Sequence, residues 1–356
     1  MDPAQTAPRV LVVGCGGIGG VLLSRMLEGG QKVAAVARRE EIASVLRTRG
    51  PVLRDEKGER TVRGDLEVFV QPPREGAYDF ILLATPPNGV EAAARDTAHL
   101  LASDGAMVVL QNGLCEELVA QVVGEDKVLG AIIAWGASSP ETGVYERTSS
   151  GGFVIGTLSG KPDPRLQRLA ELLRTVSGVA FTDNLRGARW SKLAINCAIS
   201  TLGTVGGSRV GPLLRHRFIR RLAMEVFTEV FQVAQAEGVR VEKVASTVDL
   251  EWLTLSESEQ RASGSPALLV KHAMLLAIGA RYRRLRSSML AAIERGREPP
   301  VDFLNGEVVR RGKAHGLSAP VNERLLEAVH AMSRREVSPG VETLQHIYQQ
   351  TRPQAH

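Results

Sequence analysis

Cysteine is scarce in this chain. Only Cys15, Cys115 and Cys197 occur among 356 residues, far apart and odd in number. No C-x-x-C pair or Cys/His cluster accompanies them, which argues against a disulfide framework or a zinc site, and no metal is expected. Long apolar runs are also absent, so no segment is expected to cross a bilayer even though 44% of the residues are hydrophobic. The start, Met1-Asp-Pro-Ala-Gln-Thr-Ala-Pro8, lacks the basic and apolar regions of a secretory leader and reads as a short flexible tail. Internal repeats and low-complexity tracts are missing too. What remains is the profile of a cytoplasmic enzyme with room for two domains.

The formal charge is +5, with basic residues gathered in Arg215-His-Arg-Phe-Ile-Arg-Arg221 and Arg281-Tyr-Arg-Arg-Leu-Arg286. No recognised nucleic-acid module accompanies these clusters, and they read mostly as solvated helix faces. A positive field also suits an enzyme with an anionic cofactor and substrate.

Arg9-Val-Leu-Val-Val-Gly14-Cys-Gly16-Gly-Ile-Gly19 and the apolar run after it read as a buried parallel strand, a glycine turn and a helix. That is the setting a dinucleotide-binding G-x-G-x-x-G requires. Gly14 permits the tight turn, Gly16 lets the main chain approach a pyrophosphate, and Gly19 allows close helix packing. Gly14, Cys15, Gly16, Gly17, Ile18 and Gly19 are therefore candidate cofactor contacts; a glycine turn without a ligand is the bland alternative. Cys15 reads as a small filler whose oxidation could hinder binding. After the second strand, Val33–Ala37, stands Arg38-Arg39 where an NAD site usually offers an acid. A 2′-phosphate would pair there, so NADP(H) is favoured, with Glu40 and Glu41 able to blur the choice.

Further strands are expected at 79–85 and 106–113, with helices at 89–101 and 116–123 between and after them. Residues 51–70 read as a β-hairpin insertion, and 128–134, 143–147 and 153–158 as strands continuing the sheet. After Asn184 the strands stop. Helical patterns cover 186–204, 215–237, 244–290, 302–315 and 320–334, so an α/β Rossmann domain over 9–184 is followed by a mainly α-helical domain over 185–350. The apolar helices of this second domain could cover a homodimer surface or form only an intrachain core.

Within the first of those helices, Lys192, Asn196 and Ser200 fall on one face at α-helical spacing. An ammonium, an amide and a hydroxyl facing one space suit a carbonyl or anionic substrate: the lysine can protonate a developing alkoxide while the others hold polar groups in register. A surface lysine beside a locally bonded amide is the plain alternative.

The motifs Gly14–Gly19, Arg38, Gln111-Asn-Gly113, Trp190-Ser-Lys-Leu-Ala-Ile-Asn-Cys197, Ser287-Ser-Met-Leu290, Val301-Asp-Phe-Leu-Asn-Gly306, Ala314-His-Gly316 and Ala319-Pro-Val-Asn322 occur in one order. Together they make the chain resemble the ketopantoate reductase (2-dehydropantoate 2-reductase) family over nearly its full length. The resemblance implies a Rossmann domain and a helical domain of the 6-phosphogluconate dehydrogenase-like kind, NADPH in the crevice, and reduction of a small-molecule 2-oxo acid. The family's default, in pantothenate biosynthesis, is 2-dehydropantoate to pantoate. It also implies Lys192 as proton donor, Asn196 as a substrate-orienting amide and Asn112 beside the nicotinamide and the reacting carbonyl. Ser287 or Ser288 would hold the substrate carboxylate, unless either is simply a helix cap. Asp302 and Asn305 are read as structural, fixing loops or helix ends.

Departures from the family pattern cluster on substrate contacts. Pro87 stands where a lysine often follows the strand, and Pro300 where a glutamate often stands, with Glu298 the nearest carboxylate that could reach back. Ser200 replaces a second amide, the loop Thr204–Gly211 lacks a substrate-contacting asparagine, and residues 258–284 are long. A reductase of a different 2-oxo or β-oxo acid, or an NADPH-binding sensor without turnover, therefore stands beside the default activity.

Overall fold

Four buried apolar residues in succession make β1 (Val10–Val13) a strand covered on both faces. It pairs in parallel with β2 (Val33–Val36) on one side and β6 (Tyr78–Leu83) on the other. The computed structural model describes residues 7–242, 250–261, 264–283 and 286–352, which divide into two units, Met1–Leu185 and Arg186–His356. Most of the expected N-terminal tail, 1–6, lies outside the described residues.

In unit 1, β2 continues in parallel to β5 (Leu66–Phe69), and β6 to β7 (Leu101–Val109) and β8 (Val128–Ile133). This six-strand order, β5-β2-β1-β6-β7-β8, reverses direction beside β1, as in a doubly wound dinucleotide-binding sheet. The sheet is extended by β11 (Phe153–Thr157), antiparallel to β8, and by β12 (Val179–Phe181). Helices α1 (Gly17–Glu28), α2 (Glu40–Thr48), α3 (Val90–Thr97), α4 (Glu116–Val123) and α5 (Pro164–Arg174) accompany the strands. α5 was not anticipated, although Asp163 caps it by accepting from Arg165 N and Pro164 opens it.

Two sequence expectations need correction. Residues 51–70 are not all insertion: β3 (Val52–Asp55) and β4 (Gly58–Thr61) form a hairpin, but β5 is the edge strand of the main sheet. Conversely, β10 (Val144–Arg147) does not continue that sheet. It pairs with β3 and with β9 (Ala137–Glu141) in a separate four-stranded sheet, β4-β3-β10-β9. The small sheet covers the outer side of α1, which explains why Val21, Leu22, Leu23, Met26 and Leu27 are all buried around one helix. Gly20 must be a glycine there, since an added Cβ would lie 2.0 Å from the Tyr145 ring. Arg25 and Arg60 both pair with the Asp55 carboxylate, tying α1 to the hairpin.

Unit 2 contains no strand among its described residues. The segment expected at 186–204 is α6 (Leu185–Ile195), a π-helical turn at Asn196–Ser200, and α7 (Thr201–Val205). After α8 (Val210–Leu213) comes α9 (Arg217–Ala236), whose buried face, including Leu222, Phe227 and Val230, forms the centre of the unit. The single pattern expected over 244–290 is broken into α10 (Glu257–Arg261), α11 (Pro266–Arg281) and α12 (Ser288–Glu294), because Ser265 and Ser287 each cap a new helix through their side chains. Residues 243–249, 262–263 and 284–285 of that stretch lie outside the described residues, and with them parts of the long 258–284 region and of the second arginine cluster. α13 (Asn305–Ala314), α14 (Pro320–Ser333) and the unanticipated α15 (Val341–Gln350) complete the unit. Among the described residues no helix is long and apolar enough to cross a membrane.

Candidate active site

The loop leaving β1 is shaped by main-chain contacts that leave no space for side chains. Gly14 has φ +103° and donates its N–H to Val36 O at 3.0 Å, and a Cβ there would press on the main chain of Ala84 and Thr85. At Gly19 an added Cβ would lie 1.9 Å from Gly14 O. Gly16 differs: a Cβ would meet nothing within 4 Å, so the space over it is open. Gly16 is also the N-cap of α1, with no side-chain cap and no acid in the first turn, which leaves the positive end of the helix available to an anion. Gly17 and Ile18 begin the helix. The Cys15 side chain turns away into the core, where burial pushes its thiol up to about 12. Cys15 can face a ligand only through its main chain, its Sγ lying 3.8 Å from Val36 O.

Arg38 and Asn112 follow β2 and β7, strands parallel to β1, so both stand on the same carboxyl edge of the sheet as the glycine loop. Arg38 is half exposed and pairs with Asp96 at 3.3 Å. An exposed pair of this kind is worth about 0–1 kcal/mol, weak enough for a phosphate to displace. Asn112 is exposed, and the residue before it does the positioning. Buried Gln111 donates from Nε2 to Leu83 O at 3.0 Å and Thr85 O at 2.9 Å, and accepts from Leu110 N at 3.1 Å. It thereby joins the ends of β6 and β7. Sequence reasoning quoted Gln111 as part of a motif but gave it no role, because its partners lie more than 25 residues away.

In unit 2, Lys192 is half buried on α6 and has no hydrogen-bond or ion-pair partner among the described residues. Removal from water, and next the Arg189 guanidinium, hold its pKa below the usual lysine value. One turn on, Asn196 is buried, and its Nδ2 has no partner among the described residues. A buried amide donor left unmade costs about 1–3 kcal/mol, the kind of cost a ligand oxygen would relieve. The regular α-helix expected through Ser200 is corrected by the π turn that starts at Asn196. Its wider winding keeps the two polar groups together, with Ser200 Oγ 3.5 Å from Asn196 Oδ1.

The two serines part company. Ser287 Oγ caps α12 by accepting from Met289 N at 3.2 Å and Leu290 N at 3.5 Å, and lies 2.7 Å from Thr204 Oγ1. Its hydroxyl is committed within the fold, while Ser288 is exposed. Pro87 and Pro300 each open a 3-10 turn, at Pro87–Gly89 and Pro300–Phe303, positions that suit the fixed proline φ. Asp302 bonds His330 at 2.9 Å, and Asn305 is fully buried in a hydrogen-bond network.

Two family models match the chain: Ketopantoate reductase PanE/ApbA over residues 10–160 and Ketopantoate reductase PanE/ApbA C terminal over residues 184–333. A 2-dehydropantoate 2-reductase of Pyrococcus abyssi is 24% identical over 88% of this chain and 94% of its own length. One from Halobacterium salinarum is 28% identical over 92% and 99%. In fold, the chain is similar to a PanE/ApbA family ketopantoate reductase from Ralstonia eutropha JMP134, with TM-score 0.77 and 23% identity over 92% of this chain and 99% of that one. It is equally similar, at TM-score 0.77 and 19% identity over the same shares, to a D-mandelate dehydrogenase solved with NADH and anilino(oxo)acetate. With an N-terminal Rossmann-like parallel sheet followed by a helical unit, and both halves matched in order, the chain belongs to the ketopantoate reductase family and is an oxidoreductase acting between C=O and CH–OH.

Proposed function

We propose that this protein reduces a 2-oxo acid with NADPH, 2-dehydropantoate to pantoate being the first candidate, and that Lys192 donates the proton to the ketone oxygen. The observation that carries this reading is an unpartnered, half-buried lysine of lowered pKa one helical turn from a buried amide with a free donor. The domains we assign are 9–184 for dinucleotide binding and 185–350 for the substrate, the latter also the candidate for homodimer contacts. A cytoplasmic setting goes with three buried, free thiols.

The residues of unit 1 fit a dinucleotide. Open space above Gly16, an uncapped helix start and the closed approach of Gly19 to Gly14 form a cradle for a pyrophosphate, and Arg38 is placed to exchange Asp96 for a 2′-phosphate. Once bound, the nicotinamide supplies the hydride. Asn112, held at its strand end by Gln111, is assigned to the carbonyl and nicotinamide amide. Lys192 in its ammonium form holds the proton that the new hydroxyl needs, and its reduced pKa makes release easier near neutral pH. Asn196 and Ser200 orient the substrate's polar groups. Of the two serines, Ser288 has the free hydroxyl for a carboxylate, whereas Ser287 supports the helix that carries it.

A changed substrate is the second reading, favoured by the proline-opened turns at Pro87 and Pro300. Each removes a charged contact that family members often carry, and a buried polar contact can discriminate by about 10⁴–10⁵. A likeness to a mandelate dehydrogenase makes aryl 2-oxo acids worth including. The test is NADPH oxidation by the purified protein with ketopantoate, other 2-oxo and β-oxo acids and benzoylformate, with NADH as control. Turnover of ketopantoate supports the first reading, and turnover of another acid alone supports the second. Tight NADPH binding without turnover of any acid overturns both in favour of a sensor.

A further inference from the structure

The π turn at Asn196–Ser200 shifts main-chain bonds off the regular helical ladder, with the Thr201 N–H reaching Asn196 O, and buried side chains add contacts to its carbonyls. Thr201 Oγ1 gives its single proton to Asn305 Oδ1 at 2.6 Å and lies 3.3 Å from Asn196 O. Asn305 Nδ2 donates to Cys197 O at 3.4 Å and to Asn322 Oδ1 at 2.9 Å. Asn322 Nδ2 in turn donates to Glu229 Oε2 at 2.7 Å, and Glu229 also accepts the main-chain N–H groups of Val321 and Asn322, both at 2.9 Å. Thr201, Asn305 and Asn322 are completely buried, and Glu229 nearly so.

The direction of this chain is fixed from one end. With Glu229 ionised, as above its raised pKa, the carboxylate only accepts, so Asn322 presents its NH2 to Glu229 and its carbonyl to Asn305. Asn305 must then present its NH2 to Asn322 and its carbonyl to Thr201. One arrangement of both amides satisfies every partner, which makes the network a rigid support rather than an adaptable one. It draws on three further elements, α9, α13 and α14, and ends on the turn that carries Asn196 and Ser200, four residues beyond Lys192.

We infer that the buried Glu229–Asn322–Asn305–Thr201 chain holds the π turn open and thereby positions the Asn196 and Ser200 side chains for substrate. These four are positioning residues, and the inference rests on the reading of the Lys192 helix as the substrate-binding element. Two other features agree with it. The Asn196 amide donor is buried yet unspent, and the side-chain contacts to the carbonyls of Asn196 and Cys197 among the described residues come from this chain.

The test uses the full-length protein with Thr201→Val, which keeps the shape and removes the hydroxyl, and Thr201→Ser, which restores it. Three quantities are read: hydrogen exchange at amides 197–201, kcat and KM for the 2-oxo acid at saturating NADPH, and NADPH affinity. Thr201→Val is expected to speed exchange at those amides and to lower kcat/KM by about tenfold or more, since small misplacements of substrate groups have effects of that order. NADPH affinity stays unchanged, and Thr201→Ser returns both readouts to within about twofold of the parent. Unchanged exchange and turnover in Thr201→Val, or equal damage in Thr201→Ser, overturns the inference. If Thr201→Val fails to fold, Asn322→Asp, which keeps the shape and removes the donor to Glu229, is read in the same way. If the parent protein turns over no 2-oxo acid, the reductase reading fails on its own, and the exchange data still decide whether the chain holds the turn.

Discussion

A Cβ at Gly19 would lie 1.9 Å from the Gly14 carbonyl, whereas the Asn305 amide makes three hydrogen bonds across unit 2. In unit 1 the candidate cofactor loop is held by main chain packed on main chain, and what matters is that side chains are missing. In unit 2 the candidate substrate helix is held by buried polar side chains, each of which must find its partner. The first device leaves no room for an added atom at Gly14 or Gly19. The second tolerates neither loss nor reversal of an amide. Damage should therefore separate cleanly: changes in the loop alter dinucleotide binding, and changes around the lysine helix alter chemistry and substrate binding.

The sharpest break in that comparison is Lys192→Ala. General acid catalysis is worth about 10²–10⁴-fold, so kcat should fall by that order while NADPH affinity, measured by fluorescence titration, hardly moves. Turnover surviving the change would remove Lys192 from the mechanism. In the parent protein, reduction needs the ammonium form, so kcat/KM should fall as pH rises through a pKa below the ordinary 10.5.

Next in size is Arg38→Ala. Loss of charge-assisted hydrogen bonds worth about 1.5–3 kcal/mol should cost roughly 10- to 100-fold in NADPH affinity and leave NADH binding nearly unchanged. Asp96→Ala frees the same guanidinium from a surface pair and should strengthen NADPH binding by at most about fivefold. Equal losses for the two cofactors in Arg38→Ala would deny it the 2′-phosphate.

The two glycines sharpen the comparison inside unit 1. Gly16→Ala meets nothing in the folded protein, so the melting temperature should hold while NADPH affinity drops by roughly tenfold, about 1.4 kcal/mol. Gly19→Ala should lower both, because the helix must shift off the loop. Identical behaviour of the two variants in thermal unfolding and NADPH titration would show that Gly16 is packed for the fold and not for a ligand.

The smallest effect concerns Glu229. Burial pushes its carboxyl up to about 7 against an unfolded value near 4.5, despite three donors that pull the other way. The folded state therefore holds the extra proton between those values. The stability this contributes is fully present below about 4.5 and is lost as pH rises through about 7. Thermal unfolding across that window should show the decline in the parent and a flatter profile in Glu229→Gln. Equal slopes would mean that another group titrates there. Glu225 on the same helix and the Cys197 thiol are the ionisable neighbours to check.

Much of this architecture was legible because its signals are local. A strand, a G-x-G-x-x-G turn and an apolar helix within 20 residues need no distant partner to be recognised, and the Lys192–Asn196 spacing is one helical turn. The placement of 143–147 was not legible, since its partner strand begins at Val52 and its apolar pattern suits either sheet. Nor was the π turn: the 186–204 pattern reads as ordinary helix, and the side-chain bond to the Cys197 carbonyl comes from Asn305, 108 residues on. Asn305 looked structural in the sequence. The structure keeps that role and adds what it supports.

By itself, then, the sequence determined the two-part plan, the glycine cradle, and which residues could donate a proton or meet a phosphate, because short-range periodicity and residue chemistry carry those facts. Tertiary structure alone decided that a second sheet covers α1, that Ser287 spends its hydroxyl on a helix end, and that a buried chain of amides holds the turn beside Lys192. Such features depend on which distant groups meet once water is excluded, where most buried donors and acceptors are satisfied by whatever the fold brings next to them.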